Sequence, residues 1–225
     1  MKIAIYSSKG SAGKTPIATN IVLDRDYAVG TNEPFQLYDT FIPDERVLPV
    51  AMDEPFPEIP DDVDIVFDLA GSMSASAVSI VSAIKQADLV IVPCWNNVHA
   101  LTGMIGTLNE VRRFNQNILV IATKLQKRRV GRGYEQFAQW KDSVDCQNIM
   151  DTLKSSGFSN VPVLPLKFST VFDTITEKEQ SIRQLMENDP LAAHTFKDVA
   201  EQFDAIYRYI DSRGKHAKQE QRVGA

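Results

Sequence analysis

Cysteine and long hydrophobic runs are scarce in this sequence, and each shortage excludes a class of protein. Two cysteines, Cys94 and Cys146, are too few for a disulfide framework and favour a reducing compartment. No apolar run approaches the ~18 residues that a transmembrane helix needs. The opening residues, MKIAIYSSKG, reach glycine and lysine too early for the apolar region of a signal peptide. We therefore expect a cytoplasmic protein.

The sequence also has fewer basic than acidic residues, and it has only three histidines. The 225 residues include 24 basic and 29 acidic side chains, a net charge of −5, so any contact with a nucleic acid has to come from a local basic patch. The three histidines are dispersed and lack the spacing of metal ligands (His99, His194 and His216). With 44% hydrophobic residues the chain is able to bury a core, which excludes disordered and fibrous classes.

The sequence does contain a regular alternation of apolar strands and helical segments. Apolar runs predict buried strands at residues 2–7, 27–31, 63–68, 88–94, 118–123 and 161–166. Helical periodicity predicts helices at residues 15–23, 74–85, 100–114, 134–155 and 191–210. Strands without polar alternation, separated by helices, indicate an α/β fold of three layers, a mostly parallel sheet with helices on both faces.

Two segments depart from that alternation. Residues 43–62 carry five prolines and seven acidic residues against a single basic residue, Arg46, which predicts an extended surface loop. Residues 212–225 are polar, with Val223 as their only large apolar side chain, which predicts a disordered tail. We therefore expect one domain over residues 1–211 followed by that tail.

A phosphate-binding loop is predicted at residues 8–15, SKGSAGKT, between the first strand and the first helix. Small residues let several backbone N–H groups and a helix N-terminus approach phosphate oxygens. Lys14 would then contact the β- and γ-phosphates, and the Thr15 hydroxyl would bind Mg²⁺. The usual first glycine is Ser8 here, and Pro16 is tolerated because a first-turn proline lacks only an unpaired N–H. The alternative is an ordinary Gly/Ser-rich loop.

Lys9 makes the motif more specific. The run KGSAGKT at residues 9–15 resembles the deviant Walker A motif, KGGxGKT, of the ParA/MinD family of P-loop ATPases, and is similar to that of small ParA-like plasmid partition ATPases. The resemblance implies that ATP or ADP and Mg²⁺ bind, and that a homodimer forms around ATP in which Lys9 reaches the phosphates of the opposite subunit. A solvated lysine is the alternative. The implied nucleotide-binding residues are Lys9, Gly10, Ser11, Ala12, Gly13, Lys14, Thr15 and Pro16.

Two acidic residues join Lys9 and Lys14 in the implied catalytic set. Asp68 closes the strand IVFD, as the family's Walker B carboxylate does where it holds Mg²⁺ together with Thr15, although such an aspartate can also cap an element. Residues 31–35, TNEPF, stand where the family has DxDPQ, so Glu33 replaces the water-positioning aspartate. Its extra methylene favours slow or partner-dependent hydrolysis. An ordinary turn residue is the alternative.

Two further residues are placed beside the nucleotide base by the same resemblance. Lys124 follows the sixth predicted strand where the family has a base-contacting asparagine, and Pro165 lies in the segment that leads to the adenine-facing loop.

A basic cluster follows the sixth predicted strand, with no acidic residue inside it. Such a cluster suits sequence-independent contact with DNA phosphates, as in the family's partition ATPases, and a solvated loop or an ATP-side contact is the alternative. Residues 212–225 lack the apolar face of a membrane-binding helix. Cys94 and Cys146 are interpreted as core thiols rather than cluster ligands. The predicted DNA-binding residues are Lys124, Lys127, Arg128, Arg129 and Arg132.

Together these features predict a ParA-like ATPase that dimerises on ATP, binds DNA non-specifically and partitions or positions a plasmid. The resemblance further implies slow hydrolysis stimulated by DNA and by a ParB-like, DNA-binding adaptor protein, and a nucleoid-associated location. Three alternatives stay open: an accessory ATPase of conjugative DNA transfer or cargo positioning, a nucleotide-switched scaffold with negligible hydrolysis, and a small-molecule kinase or ligase.

Overall fold

The structure, a computed structural model, describes residues 1–33, 37–71 and 78–223, with side chains through residue 213. The six predicted strands all form; five of their twelve ends are one or two residues shorter than predicted, and the C-terminal ends of the last two are longer. The strands are β1 (Lys2–Ile5), β2 (Ala28–Thr31), β3 (Val47–Pro49), β4 (Ile65–Asp68), β5 (Leu89–Cys94), β6 (Ile118–Leu125), β7 (Arg129–Val130), β8 (Gly133–Tyr134) and β9 (Val163–Lys167).

Seven of these strands make one sheet in the order β3-β2-β4-β1-β5-β6-β9, and every neighbouring pair in it is parallel. The other two, β7 and β8, form a separate antiparallel hairpin. The helices are α1 (Lys14–Arg25), α2 (Val78–Gln86), α3 (Val98–Val111), α4 (Val144–Ser155), α5 (Val171–Lys178), α6 (Ile182–Asn188) and α7 (Pro190–Val223).

Helices cover both faces of the sheet, which confirms the predicted three-layer α/β fold. One core lies between the sheet and α2, α3 and α4, where Ile80, Leu108 and Ile149 are fully buried. The other core lies between the sheet and α1, α5, α6 and α7, where Ile21 and Ile206 are fully buried. A parallel sheet buried on both faces explains why its strands show no polar alternation.

The proline-rich segment at residues 43–62 is more than the predicted surface loop. It supplies the edge strand β3, and it buries Phe56 and Ile59 to 3% and 7% exposure. The Phe56 ring packs edge-on against Phe67 of β4, with ring centroids 5.0 Å apart. The prediction of a surface loop is wrong for β3 and for Phe56 and Ile59, because two apolar side chains among the prolines are enough to attach the segment to the core.

Two predicted helices change their bounds. The helix predicted to begin at residue 134 begins at Val144, because the Ser143 hydroxyl accepts a hydrogen bond from the Cys146 N–H and caps it there. The last helix continues to Val223, through residues predicted to be disordered. Residues 211–223 contain no proline and many good helix formers, so nothing in them ends the helix at Ile210.

Some predictions lie outside the described residues: positions 34 and 35 of TNEPF, and residues 74–77 of the helix predicted at 74–85. Within the described chain, no helix has the length and apolar character needed to cross a bilayer.

Candidate functional site

The carboxyl ends of the central strands bring the predicted site residues to one edge of the sheet. Asp68 at the end of β4 is in register with Ile5 at the end of β1 and with Thr31 at the end of β2. The loops that follow these three strands therefore start side by side. This is the edge at which open parallel sheets bind ligands.

The loop between β1 and α1 has the backbone of a phosphate-binding loop. Ser11 and Gly13 adopt left-handed conformations, with φ of 59° and 96°, and Lys14 begins α1. The Lys14 side chain is 7% exposed. A Cβ added at Gly71 would lie 3.3 Å from both Lys14 Nζ and the Ser7 carbonyl oxygen, so the backbone after β4 packs closely against the lysine.

Two contacts that the sequence does not signal fix this loop to the rest of the fold. The Ser8 N–H donates to Thr107 Oγ1 of α3 at 3.1 Å, and the two hydroxyl oxygens lie 2.9 Å apart. The Thr123 hydroxyl, in β6, donates to the Ala12 carbonyl at 2.9 Å. The Ser8 hydroxyl thus has a partner in α3, which accounts for a serine where the usual motif has glycine.

Lys9 lies at the outer side of the loop. Its side chain is exposed, and its Cβ lies 3.4 Å from where a Cβ on Gly103 of α3 would be. None of the carboxylates that the structure describes forms an ion pair with it. Its ammonium group is therefore available to a molecule outside this chain.

Asp68 is the most strongly perturbed acid of the site. It is 1% exposed, and its Oδ2 accepts a hydrogen bond from the buried Tyr38 hydroxyl at 2.8 Å. Burial raises the pKa of Asp68 to about 6, while the hydrogen bond from Tyr38, the nearby Thr15 hydroxyl and the charge of Lys14 lower it. Tyr38 was not predicted, and no local pattern marks it, since the contact joins residues 30 positions apart.

The remaining oxygen of Asp68 suits a magnesium ion. Within the described part of the chain, Oδ1 is buried and has no hydrogen-bond partner. Thr15 is close enough for its hydroxyl to lower the pKa of this carboxyl. A hydroxyl and a carboxylate oxygen are ligands that Mg²⁺ prefers, so Thr15 and Asp68 fit the ion.

Glu33 lies near this pair. Its carboxylate contributes to raising the pKa of Asp68, and its N–H donates to Thr31 Oγ1 at 3.2 Å. The neighbouring Asn32 contacts the loop after β4 and the helix α2: its Oδ1 accepts from the Ala70 N–H at 2.7 Å, and its Nδ2 donates to Ser79 Oγ at 2.8 Å. The segment after β2 is thus attached to the segment after β4.

A cavity of about 140 Å³ lies beside the phosphate loop, between Gly13, Thr123 and Phe168. Lys124 lines it, held in a left-handed conformation (φ 55°) where the pairing of β6 and β9 becomes irregular. Pro165 does not line this cavity. It lines a different one, beside α7, so the structure does not bring the two residues predicted to face the base into one pocket.

The predicted basic cluster is exposed, but its members have different surroundings. Arg128 forms an ion pair with Asp145 of α4, and its N–H donates to Glu135 Oε2 at 3.2 Å. Lys124 and Lys127 lie over aromatic rings. Arg129 and Arg132 belong to the β7–β8 hairpin. Sequence spacing does not reveal Asp145 because it lies 17 residues from Arg128.

The two cysteines lie in the core that covers one face of the sheet. Burial raises the pKa of Cys94 to about 12 and that of Cys146 to about 11. Among the residues described, no three His, Cys, Asp or Glu side chains cluster as a metal site would require.

Comparison with known proteins identifies the fold. No protein-family model matches the chain, and no curated protein matches its sequence. The structure is similar to the cell division ATPase MinD of Pyrococcus furiosus, at 15% identity and a TM-score of 0.57, over 91% of this chain and 99% of that one.

Two solved complexes are also similar. MinD of Pyrococcus horikoshii with Mg-ADP matches at 16% identity and a TM-score of 0.54, over 91% of this chain and 96% of that one. A complex of a Cyanothece McdA variant with ATP matches at 15% identity and a TM-score of 0.53, with the same coverage. These neighbours confirm the fold that the resemblance to the ParA/MinD family predicts.

Proposed function

We propose that this chain is a ParA-like ATPase of the ParA/MinD family, which forms an ATP-sandwich dimer, binds DNA non-specifically and partitions or positions DNA in the cytoplasm. The observation that carries the proposal is the buried Lys14, which follows the left-handed Gly13 and is close enough for its charge to lower the pKa of Asp68, whose Oδ1 has no partner among the described residues. The similar structures in complex with ATP and with Mg-ADP support nucleotide binding.

In the proposed reaction each residue has a separate role. The phosphate-loop N–H groups and Lys14 hold the β- and γ-phosphates, and Thr15 and Asp68 hold Mg²⁺, which when bound neutralises phosphate charge. Glu33 orients the attacking water. Lys9 adds a second cation to the partner's γ-phosphate, which couples turnover to dimerisation. Its exposure and lack of a described ion-pair partner support this role.

DNA binding is assigned to the exposed hairpin and its flanks. Lys124, Lys127, Arg129 and Arg132 offer charges that pair with no described carboxylate, whereas Arg128 is already paired with Asp145. A dimer would present two such surfaces and gain affinity through effective concentration. A ParB-like adaptor is the proposed partner. An accessory ATPase of conjugative transfer would use the same site.

Glu33 favours one alternative of another class, a nucleotide-switched scaffold with negligible hydrolysis. Its carboxylate is one methylene longer than the aspartate of the family motif, so the water it holds is displaced. Phosphate release with and without DNA distinguishes the two: the ATPase releases phosphate faster with DNA, and the scaffold releases none.

Lysine variants test the proposal directly. Lys14→Ala should lose ATP binding, because the phosphates lose their buried cation. Lys9→Ala should keep ATP affinity within about twofold but lose ATP-dependent dimerisation and turnover, as followed by fluorescent-nucleotide titration and sedimentation. Equal loss of nucleotide affinity in both variants would contradict the dimer role of Lys9.

A further inference from the structure

The last strand of the sheet, β9, has a groove along its free edge. A cavity of about 530 Å³ lies there, a size typical of ligand sites. Phe137, Trp140 and Lys141 form one wall, Gln202 and Ala205 of α7 form the other, and residues 163–165 form the floor. We call this the β9-edge groove.

The floor presents unpaired backbone groups. The Val120 N–H donates to the Pro162 carbonyl at 3.0 Å, which shows that Pro162 faces β6. Because alternate residues of a strand face opposite neighbours, Val163 and Pro165 face the groove. The Val163 N–H and C=O and the Pro165 C=O form no hydrogen bond to the part of the chain that the structure describes. These three groups are what an added strand would bind.

Gln202 limits how much of the edge is open. Its Oε1 accepts from the Lys167 N–H at 2.9 Å, so this side chain already makes the bond that a further strand would make at that end. The residue is 8% exposed, and its Nε2 has no partner among the described atoms. The open stretch is short and walled on both sides. A single extended segment fits such a groove, whereas the sheet edge of a second copy would meet the walls.

The free charge of the groove is positive. Lys127 and Lys141 line it, and neither forms an ion pair with a described carboxylate. The two acids of the α7 wall already have partners: Asp198 lies 3.2 Å from Lys167, and Glu201 lies 3.9 Å from Lys197. Charge complementarity therefore favours an acidic occupant.

We propose that the β9-edge groove binds an extended, acidic peptide segment of a partner protein, which adds a strand to β9. Backbone hydrogen bonds to Val163 and Pro165 supply affinity, and the two lysines select acidic side chains. This surface is separate from the phosphate loop, so the proposal holds whether or not the chain hydrolyses ATP.

A random 12-residue peptide library displayed on phage tests this on the intact protein. Selection should enrich acidic peptides, whose synthetic copies are then titrated by fluorescence anisotropy against three variants. Lys141→Glu should weaken binding threefold to tenfold and reduce its salt dependence. Val163→Pro removes the outward N–H without touching a bond to β6, and should weaken binding about fivefold. Lys154→Glu, an exposed charge reversal on α4, is the matched control and should bind like the wild type.

Several results would overturn the proposal. If the selection enriches no peptide, or only peptides that bind every variant as tightly as the wild type, the groove is not a peptide-binding site. Unchanged binding by Val163→Pro, with circular dichroism matching the wild type, excludes strand addition. If a 12-nucleotide single-stranded DNA binds the wild type and loses affinity in Lys141→Glu while no peptide does, the groove is a nucleic-acid surface instead.

Discussion

At the scale of single residues, the phosphate loop departs from the family motif at two serines, and the structure gives them different surroundings. Ser8 replaces the usual glycine, and its hydroxyl adds a hydrogen bond with Thr107 Oγ1 of α3 at 2.9 Å that glycine would not make. Ser11 replaces the second glycine of the lysine-glycine-glycine run, but the backbone there keeps a left-handed φ of 59°. A side chain in that conformation costs about 1–2 kcal/mol, and the Ser11 side chain forms no hydrogen bond with the described residues that would offset this cost.

Ser11→Gly should therefore stabilise the protein. Relief of the left-handed strain exceeds the extra backbone entropy of glycine, about 0.5–1 kcal/mol, so we expect the free energy of unfolding to rise by about 0.5 kcal/mol. Urea unfolding measures it. Ser8→Gly is the matched control and should lower stability by about 1 kcal/mol, because Thr107 loses the Ser8 hydroxyl as a partner. A loss of stability in both variants would mean that Ser11 makes a compensating contact.

Asp68 gives the protein a pH-dependent instability in the absence of magnesium. Its pKa of about 6 in the fold exceeds the ordinary 3.8, so folding disfavours the ionised form. The cost is fully present above pH ~6 and disappears as the pH falls towards 4. In EDTA, Asp68→Asn should thus be more stable than the wild type by about 1–3 kcal/mol at pH 7.5 and by nothing near pH 4. Urea unfolding at both pH values measures this, and a gain independent of pH would contradict it.

At the scale of elements, the strands were predictable and several short elements were not. The strands that were predicted best are continuous apolar runs, and such a run indicates a strand that is buried on both faces; these are β1, β4, β5 and β6. The β7–β8 hairpin has two residues in each strand, too few for a period to be read. The helices α5 and α6 have eight and seven residues, and they lie where the sequence suggested only a connection to α7.

The site, like the secondary structure, was predictable only in part. The resemblance to the ParA/MinD family predicted that Lys14 and Asp68 act together, and in the structure they are close because Lys14 follows β1, Asp68 ends β4, and these two strands are neighbours in the sheet. Motif spacing does not reveal Tyr38, Thr107 or Thr123, since their hydrogen bonds join elements distant in sequence. The roles of Lys9 and Glu33 stay predictions.

The hairpin is the element on which DNA binding should depend. Replacing Arg129 and Arg132 with Ala should weaken binding to every DNA sequence and reduce the slope of log affinity against log salt by about 2 for each subunit. Filter binding at several salt concentrations measures both quantities, with ATP affinity unchanged. The control variant replaces Lys154 and Lys178 with Ala, which removes the same amount of charge from a surface outside the hairpin. If removal of residues 213–225 abolishes binding while the hairpin variant does nothing, DNA is bound by the tail.

At the scale of the whole molecule, dimer lifetime should depend on Glu33. Glu33→Ala should remove the group that orients water and trap an ATP-bound dimer, seen by sedimentation as a dimer that persists for hours. Glu33→Asp should retain or raise turnover, because it restores the family's side chain. Unchanged phosphate release by Glu33→Ala would assign the water to another group, in the segment after Asp68.

The strand order also separates the charges of the molecule. Asp44 and Glu45 precede β3 at one end of the sheet, whereas Lys127, Arg128, Arg129 and Arg132 follow β6, five strands away, or roughly 24 Å at the usual spacing. These two groups give the sheet a local charge asymmetry that the net charge of −5 does not show. We therefore expect a polyanion to attract the end that carries Arg129 and Arg132 first and to leave Asp44 and Glu45 facing the solvent.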